Sequence, residues 1–174
     1  AAQPTIVEIP LTEKFLNKID LRVAQIVKIE RHPKADKLYI ETLEINGEER
    51  VIVSGLVPYY REDELLGKRI IVAYNLKAAK LRGVESRGML LAASIKGGEG
   101  PDVVEVLDAG LVPTGTRVGI EGKLGPATLE EVDIDTFFSI PIRATDGKVT
   151  VDGKPLTLGD SVISTQRVVN GEVG

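Results

Sequence analysis

At 174 residues, with 43% hydrophobic and 28% charged side chains, the chain has room for one domain or a small barrel with a second subdomain, and general disorder is excluded. The absence of cysteine and the single histidine exclude a disulfide scaffold and Cys-rich zinc sites, and point to a cytoplasmic protein without metal or cofactor. The formal net charge of −4 argues against a nucleic-acid partner until its distribution is considered. Residues 1–95 carry 15 Lys/Arg against 13 Asp/Glu, whereas residues 96–174 carry 7 against 13. Within 68–87, Lys68, Arg69, Lys77, Lys80, Arg82 and Arg87 face a single Glu85, and such local clusters govern phosphate binding more than net charge does.

Aromatic residues are 4% of the chain, so Val, Ile and Leu must fill the core, which favours β-structure. The start, Ala1-Ala2-Gln3-Pro4, has neither a basic nor an apolar signal region and lacks an initiator Met, as expected of a trimmed chain or a piece of a longer one. No apolar run approaches the roughly 20 residues that cross a bilayer, so no membrane partner is expected. Thr12-Glu13-Lys14-Phe15 reads as a capped helical turn. Leu21 to Ile29 reads as a half-buried strand with Leu21, Val23, Val27 and Ile29 inward. His32-Pro33-Lys34-Ala35-Asp36 is a turn.

Strands are predicted over Leu38–Ile45 and Arg50–Ser54, closed by the hairpin pair Asn46-Gly47. A short helix falls within Pro58–Leu66, a fourth strand over Arg69–Tyr74, a basic loop over Leu76–Arg87 and a fifth strand over Met89–Ser94. Five short strands, one brief helix and a long connection between strands four and five describe an oligonucleotide-binding (OB) barrel. Lys96–Pro101 is a loop, with extended segments at Val103–Leu107 and Arg117–Ile120. Gly122–Pro126 is a seam. A helix is predicted over Leu129–Phe138. Short strands follow at Ile140–Arg143, Lys148–Val151 and Ser161–Ser164, with turns at Asp146-Gly147 and Asp152-Gly153.

The stretch 75–89 carries most of the chemistry. Lys77, Lys80 and Arg82 are cations suited to phosphates, Asn75 and Ser86 offer uncharged hydrogen-bonding groups, and Met89 offers an adaptable apolar surface to a base or sugar. Composition alone also allows a solvated basic loop with Met89 in the core. His32 with Asp36 reads as a hydrogen-bonded turn, because Val53-Ser54-Gly55 is not a nucleophile elbow. Gly97-Gly98-Glu99-Gly100 lacks phosphate-loop spacing, and Glu62-Asp63-Glu64 reads as a solvated helix face.

The string Asn75-Leu76-Lys77-x-x-Lys80-Leu81-Arg82-Gly83-x-x-Ser86-x-Gly88-Met89 closely resembles the tRNA-binding domain of endothelial monocyte-activating polypeptide II and its relatives. Leu21-Arg22-Val23, His32-Pro33-x-Ala35-Asp36-x-Leu38-Tyr39 and Val53-Ser54-Gly55-Leu56-Val57 match in the same order, so the resemblance covers residues 18–95. It implies a mainly β protein: a lead over 1–17, an OB barrel over 18–121, and a C-terminal α+β subdomain over 122–174 that mimics a dimer interface and leaves the chain monomeric. It implies a non-catalytic module that binds tRNA and is appended to, or partners, an aminoacyl-tRNA synthetase, with Lys77, Lys80, Arg82, Ser86 and Met89 on the tRNA side. Lys34 joins them because its turn borders the same face, and Arg22, Lys37 and Arg50 are weaker candidates. The family shows Pro where this chain has Ala78, and its longer members carry a Lys-rich run where this chain is acidic. Members are also reported as cytokine-like or as assembly subunits, and the cytokine-like segment aligns partly with Arg22–Lys28.

Overall fold

The computed structural model describes residues 9–97 and 102–174. Its barrel is built by five chain segments: β1 (Leu21–Arg31), β2 (Tyr39–Ile45), β3 (Glu48–Ser54), β4 (Arg69–Ala73), and a fifth segment that a break at Leu91 divides. The five-stranded sheet has the order β3-β2-β1-β4 followed by the first half of that fifth segment, Met89–Leu90. All pairings are antiparallel. Closure between β3 and the chain entering the fifth strand rests on two hydrogen bonds, Arg87 N–H to the Val51 carbonyl at 2.9 Å and Val53 N–H to the Ser86 hydroxyl oxygen at 2.9 Å. This is the OB-like half-barrel expected from the five-strand pattern.

β1 is long because it serves two neighbours. Residues 21–25 pair with β4 and residues 25–31 with β2. A bulge between Ile26 and Lys28 turns the strand from one partner to the other. The bulge corrects the expected facing: Ala24 and Ile26 are fully buried, while Val27 is 45% exposed. Strict alternation holds only upstream, at Leu21 and Val23. The Asn46-Gly47 turn forms as expected, with φ of 49° and 85° at the two central positions.

The N-terminal helix is longer than the expected single turn, spanning α1 (Leu11–Lys18), and Pro10 rather than Thr12 precedes it. Its one fully buried residue, Phe15, joins the larger of two apolar clusters, and burial of such a side chain contributes about 1.5–3 kcal/mol. α2 (Glu62–Leu65) falls within the expected segment.

Beyond the barrel, the second half of the fifth segment (Ala92–Ile95) joins another sheet, next to its edge strand. It pairs with Val103–Val106 on one side and with the C-terminal strand Gly171–Val173 on the other. The C-terminal strand pairs with Ile142–Thr145, which pairs with Lys148–Val151, then Lys154–Leu158. The strands at 154–158 and 171–173 were not expected, and Arg117–Ile120 contributes only Gly119–Ile120. Asp146-Gly147 and Asp152-Gly153 do form left-handed turns, with φ between 49° and 80°. The larger cluster includes Phe15, Leu21, Ile71, Leu91, Val151 and Val173, so one core runs beneath both parts of the chain. Glu105 reinforces that union by accepting the backbone N–H groups of Gln166, Arg167 and Val168 at 2.7–2.9 Å. The loop expected over Lys96–Pro101 lies partly outside the described residues; within them, Gly97 N–H donates to Asp102 at 3.0 Å.

Glu41 places a carboxyl group inside the barrel. β2 buries alternate residues, and Glu41 is fully enclosed in the row with Tyr39, Leu43 and Ile45. Its Oε1 accepts the Ser54 hydroxyl proton at 2.6 Å, and its Oε2 has no partner among the described residues. Burial pushes its pKa up to about 8, opposed by the Ser54 hydrogen bond. The folded state therefore holds a proton that the unfolded chain releases near 4.5. Stability from this group is complete below that pH and is lost as pH rises toward about 8. Unfolding free energy should fall by about 1.4 kcal/mol per pH unit across that window. Glu41→Gln is expected to remove that component of the slope in denaturant titrations, and an identical slope in both proteins would refute the buried neutral carboxyl.

Candidate nucleic-acid interface

The connection between β4 and the fifth segment is more ordered than the expected basic loop. It forms a hairpin of β5 (Ala79–Leu81) and β6 (Val84–Ser86), turning at Arg82-Gly83 with φ of 54° and 88°. Two successive positive φ values give the tight turn that matches strand twist, and Gly83 adopts its value without steric cost. The register Ala79↔Ser86, Lys80↔Glu85, Leu81↔Val84 puts Lys80 and Glu85 on one face of the hairpin and the apolar residues on the other.

Asn75 anchors this hairpin. It is buried, and its amide nitrogen donates to the carbonyls of Lys18 and Glu130, both at 2.8 Å. Its side-chain oxygen accepts the Asp20 N–H at 3.0 Å. Leu76 then bridges Val132, with hydrogen bonds from Lys77 N–H to Val132 O and from Val132 N–H to Asn75 O, both 2.9 Å. The expected helix over 129–138 is shorter for this reason: the chain through Val132 is extended, and α3 (Ile134–Phe138) starts only after Asp133, whose side chain accepts the Thr136 N–H at 2.7 Å.

Ser86 is buried as well. Its hydroxyl donates to the Gly88 carbonyl at 3.0 Å and accepts from Val53 N–H. Gly88 has φ of 135°, and a Cβ there would lie 3.0 Å from the Ala73 carbonyl oxygen. Ser86-x-Gly88-Met89 is thus the seam where the barrel closes. The expected RNA-facing roles of Asn75 and Ser86 are corrected: both are buried, and their polar atoms are occupied by the fold.

The cations differ. Lys34, Lys77, Lys80 and Arg82 are all exposed, and none has a carboxylate within 4.0 Å among the described residues. His32 joins their two segments. Its Nδ1 accepts the Lys34 N–H at 3.0 Å, which leaves the proton on Nε2 to donate to the Leu81 carbonyl at 3.1 Å. Arg82 adds a long contact to the Lys34 carbonyl at 3.4 Å. Lys37 is exposed on the same turn. Met89 is half-buried, packed on the larger core and lining a pocket beside the hairpin.

Other cations are spent within the fold. Lys68 pairs with Asp108 at 3.1 Å, and Arg69 donates to the Leu111 carbonyl at 2.7 Å. Both sit at the opposite end of β4 from the hairpin, about 16 Å away along five extended residues. Arg22 and Arg50 clasp the Tyr74 ring, with guanidinium carbons 4.0 and 3.9 Å from its centroid. Arg22 pairs with Asp20, and Arg50 with Glu48, which also accepts the Tyr74 hydroxyl at 2.7 Å. The Arg50 and Tyr74 hydrogen bonds hold the Glu48 carboxylate below its usual range. This sandwich and the buried Glu41 escaped the sequence reading, although the alternation of Tyr39, Glu41, Leu43 and Ile45 signals the latter. The Arg22–Lys28 segment compared with a cytokine-like stretch buries Val23, Ala24 and Ile26.

A family model described as "Putative tRNA binding domain" matches residues 21–116. The chain belongs to this family of tRNA-binding domains. It is 44% identical to the methionine–tRNA ligase of Treponema denticola, across the whole of this chain and 23% of that protein. It is 47% identical to the cytoplasmic tyrosine–tRNA ligase of Xenopus tropicalis, across 60% of this chain and 20% of the relative. The chain thus spans about a fifth of the length of these curated relatives. Among solved structures it resembles the C-terminal domain of Plasmodium vivax p43, with a TM-score of 0.79, 26% identity, and coverage of 91% of this chain and 98% of that one. A MetRS-related protein from Pyrococcus horikoshii matches 57% of this chain and 88% of its own, with a TM-score of 0.51 and 33% identity. The family match ends at Thr116, whereas the likeness to the p43 domain extends into the C-terminal sheet.

Asn75→Ala would strip the partner from one buried N–H, at about 1–3 kcal/mol for an unsatisfied buried group, and from two part-buried carbonyls. A loss of at least about 1 kcal/mol is expected in urea unfolding, with faster proteolysis within 76–88. A neutral substitution would show that Asn75 is not the anchor.

Proposed function

We propose that this chain is a non-catalytic tRNA-binding module that works with an aminoacyl-tRNA synthetase, in the same polypeptide or as a partner. The observation that carries this reading is the set of exposed cations Lys34, Lys77, Lys80 and Arg82, without an ion-pair partner among the described residues and carried on two segments that the His32–Leu81 hydrogen bond joins. Family membership supports tRNA as the polyanion, and the methionine– and tyrosine–tRNA ligases among the relatives support the synthetase connection. Four point charges on a barrel edge recognise backbone spacing and RNA shape more than sequence. Such a module raises the local tRNA concentration near a linked active site, an effective-concentration gain that needs no chemistry of its own.

The module is monomeric in this reading. The C-terminal strand Gly171–Val173 pairs with Ala92–Ile95, so that edge is covered within the chain and not left open to a second copy.

Replacing Lys77, Lys80 and Arg82 together by Ala should weaken tRNA binding at least tenfold at low salt. The log–log salt slope should shrink by about 2, reflecting three lost phosphate contacts. Circular dichroism should be unchanged, because the three side chains are exposed. Equal affinity and equal slope in both proteins would contradict the proposal.

A further inference from the structure

A pocket of about 570 Å³ opens beside the hairpin, within the size range of small-ligand sites. It is lined by Leu56, Tyr59, Ala79, Leu81, Met89 and Ile134, drawn from the segment after β3, the hairpin, the fifth barrel strand and α3. Tyr59, Leu81 and Ile134 remain 39%, 40% and 44% exposed around it, so apolar surface from three separate segments is left open at one place. Lys77 belongs to the same lining.

The hairpin register explains how apolar surface and charge come together here. Ala79 and Leu81 line the pocket, whereas Lys80, between them, does not. One thin element therefore shows an apolar face to the pocket and a cation to the other side. A ligand that satisfies both faces is flat and apolar in one part and anionic in the part adjoining it. A nucleotide within a strand has this construction, with a base to insert and a phosphodiester to pair with Lys77 or Lys80. An uncharged peptide segment would use the apolar part but would leave the exposed cations unanswered.

We infer that this pocket receives one unstacked base of the bound tRNA, packed against Met89 and Tyr59, while the hairpin cations hold the flanking phosphates. The inference rests on the tRNA-binding reading and adds to it a base subsite that is separate from the phosphate contacts. Removing Tyr59 should then lower affinity without altering salt dependence, because no phosphate contact is lost.

Met89 is the only methionine of the sequence, so a ¹³C-methyl methionine label reports on the pocket alone. On addition of unlabelled tRNA, the Met89 methyl resonance is expected to move upfield by ring current, and Tyr59→Ala should bind about tenfold more weakly with an unchanged salt slope. If tRNA binds, and binding is lost in the Lys77/Lys80/Arg82 triple variant, but the Met89 resonance stays in place, the base subsite is wrong while the phosphate reading stands. A Met89 shift produced by a peptide and not by tRNA would assign the pocket to a protein segment and overturn the inference. Absence of any tRNA binding by the unaltered chain would overturn both readings.

Discussion

The side chain of Asn75 is the constraint on which the rest of the interface depends. One primary amide closes three hydrogen bonds to three segments: the end of α1, the entry to β1 and the extended stretch before α3. The Asp20 N–H is buried where water cannot replace its partner, so desolvation cost enforces that bond, and the part-buried carbonyls of Lys18 and Glu130 tie the same amide to two further segments. The next two residues are then laid against Val132, which fixes the base of the hairpin and hence the direction in which its cations stand. A neighbouring node, the Tyr74 ring between Arg22 and Arg50, stiffens the same end of β4. Residues with apparent RNA-binding chemistry thus act as the scaffold of an interface that other residues present.

Much of the barrel was legible because alternation and turn chemistry agree. Tyr39 to Ile45 alternates without interruption, and Asn46-Gly47 supplies the left-handed turn that follows it, as the two Asp-Gly pairs do in the C-terminal sheet. The bulge after Ile26 was not legible, since nothing local distinguishes Val27 from an inward residue. It arises from a tertiary requirement, that β1 leave β4 and join β2. The hairpin within 76–87 was hidden because Arg82 occupies a positive φ that sequence rules reserve for Gly, Asn and Asp.

The charge of the candidate site was legible in the sequence, and the burial of its uncharged polar members was not. Charge counted along the chain groups Lys68 and Arg69 with the cations of 77–87, but β4 separates them to the far end of the barrel, where Asp108 and backbone carbonyls engage them. Asn75 and Ser86 have the right chemistry for RNA, and burial redirects it inward. The acidic C-terminal half has local structural reasons as well: Glu105 clamps three N–H groups, Asp133 caps α3, and Asp146 and Asp152 occupy left-handed turn positions. Those acids record the building of a sheet, and they leave the exposed cations of Lys34, Lys77, Lys80 and Arg82 in place on the barrel edge.

The most direct test of the account is amide hydrogen exchange across the whole chain with and without tRNA. Slowed exchange is expected in 32–38 and 76–88, the two segments that His32 joins, with no change in 142–158. Protection confined to the C-terminal sheet, with the hairpin exchanging at its free rate, would contradict it.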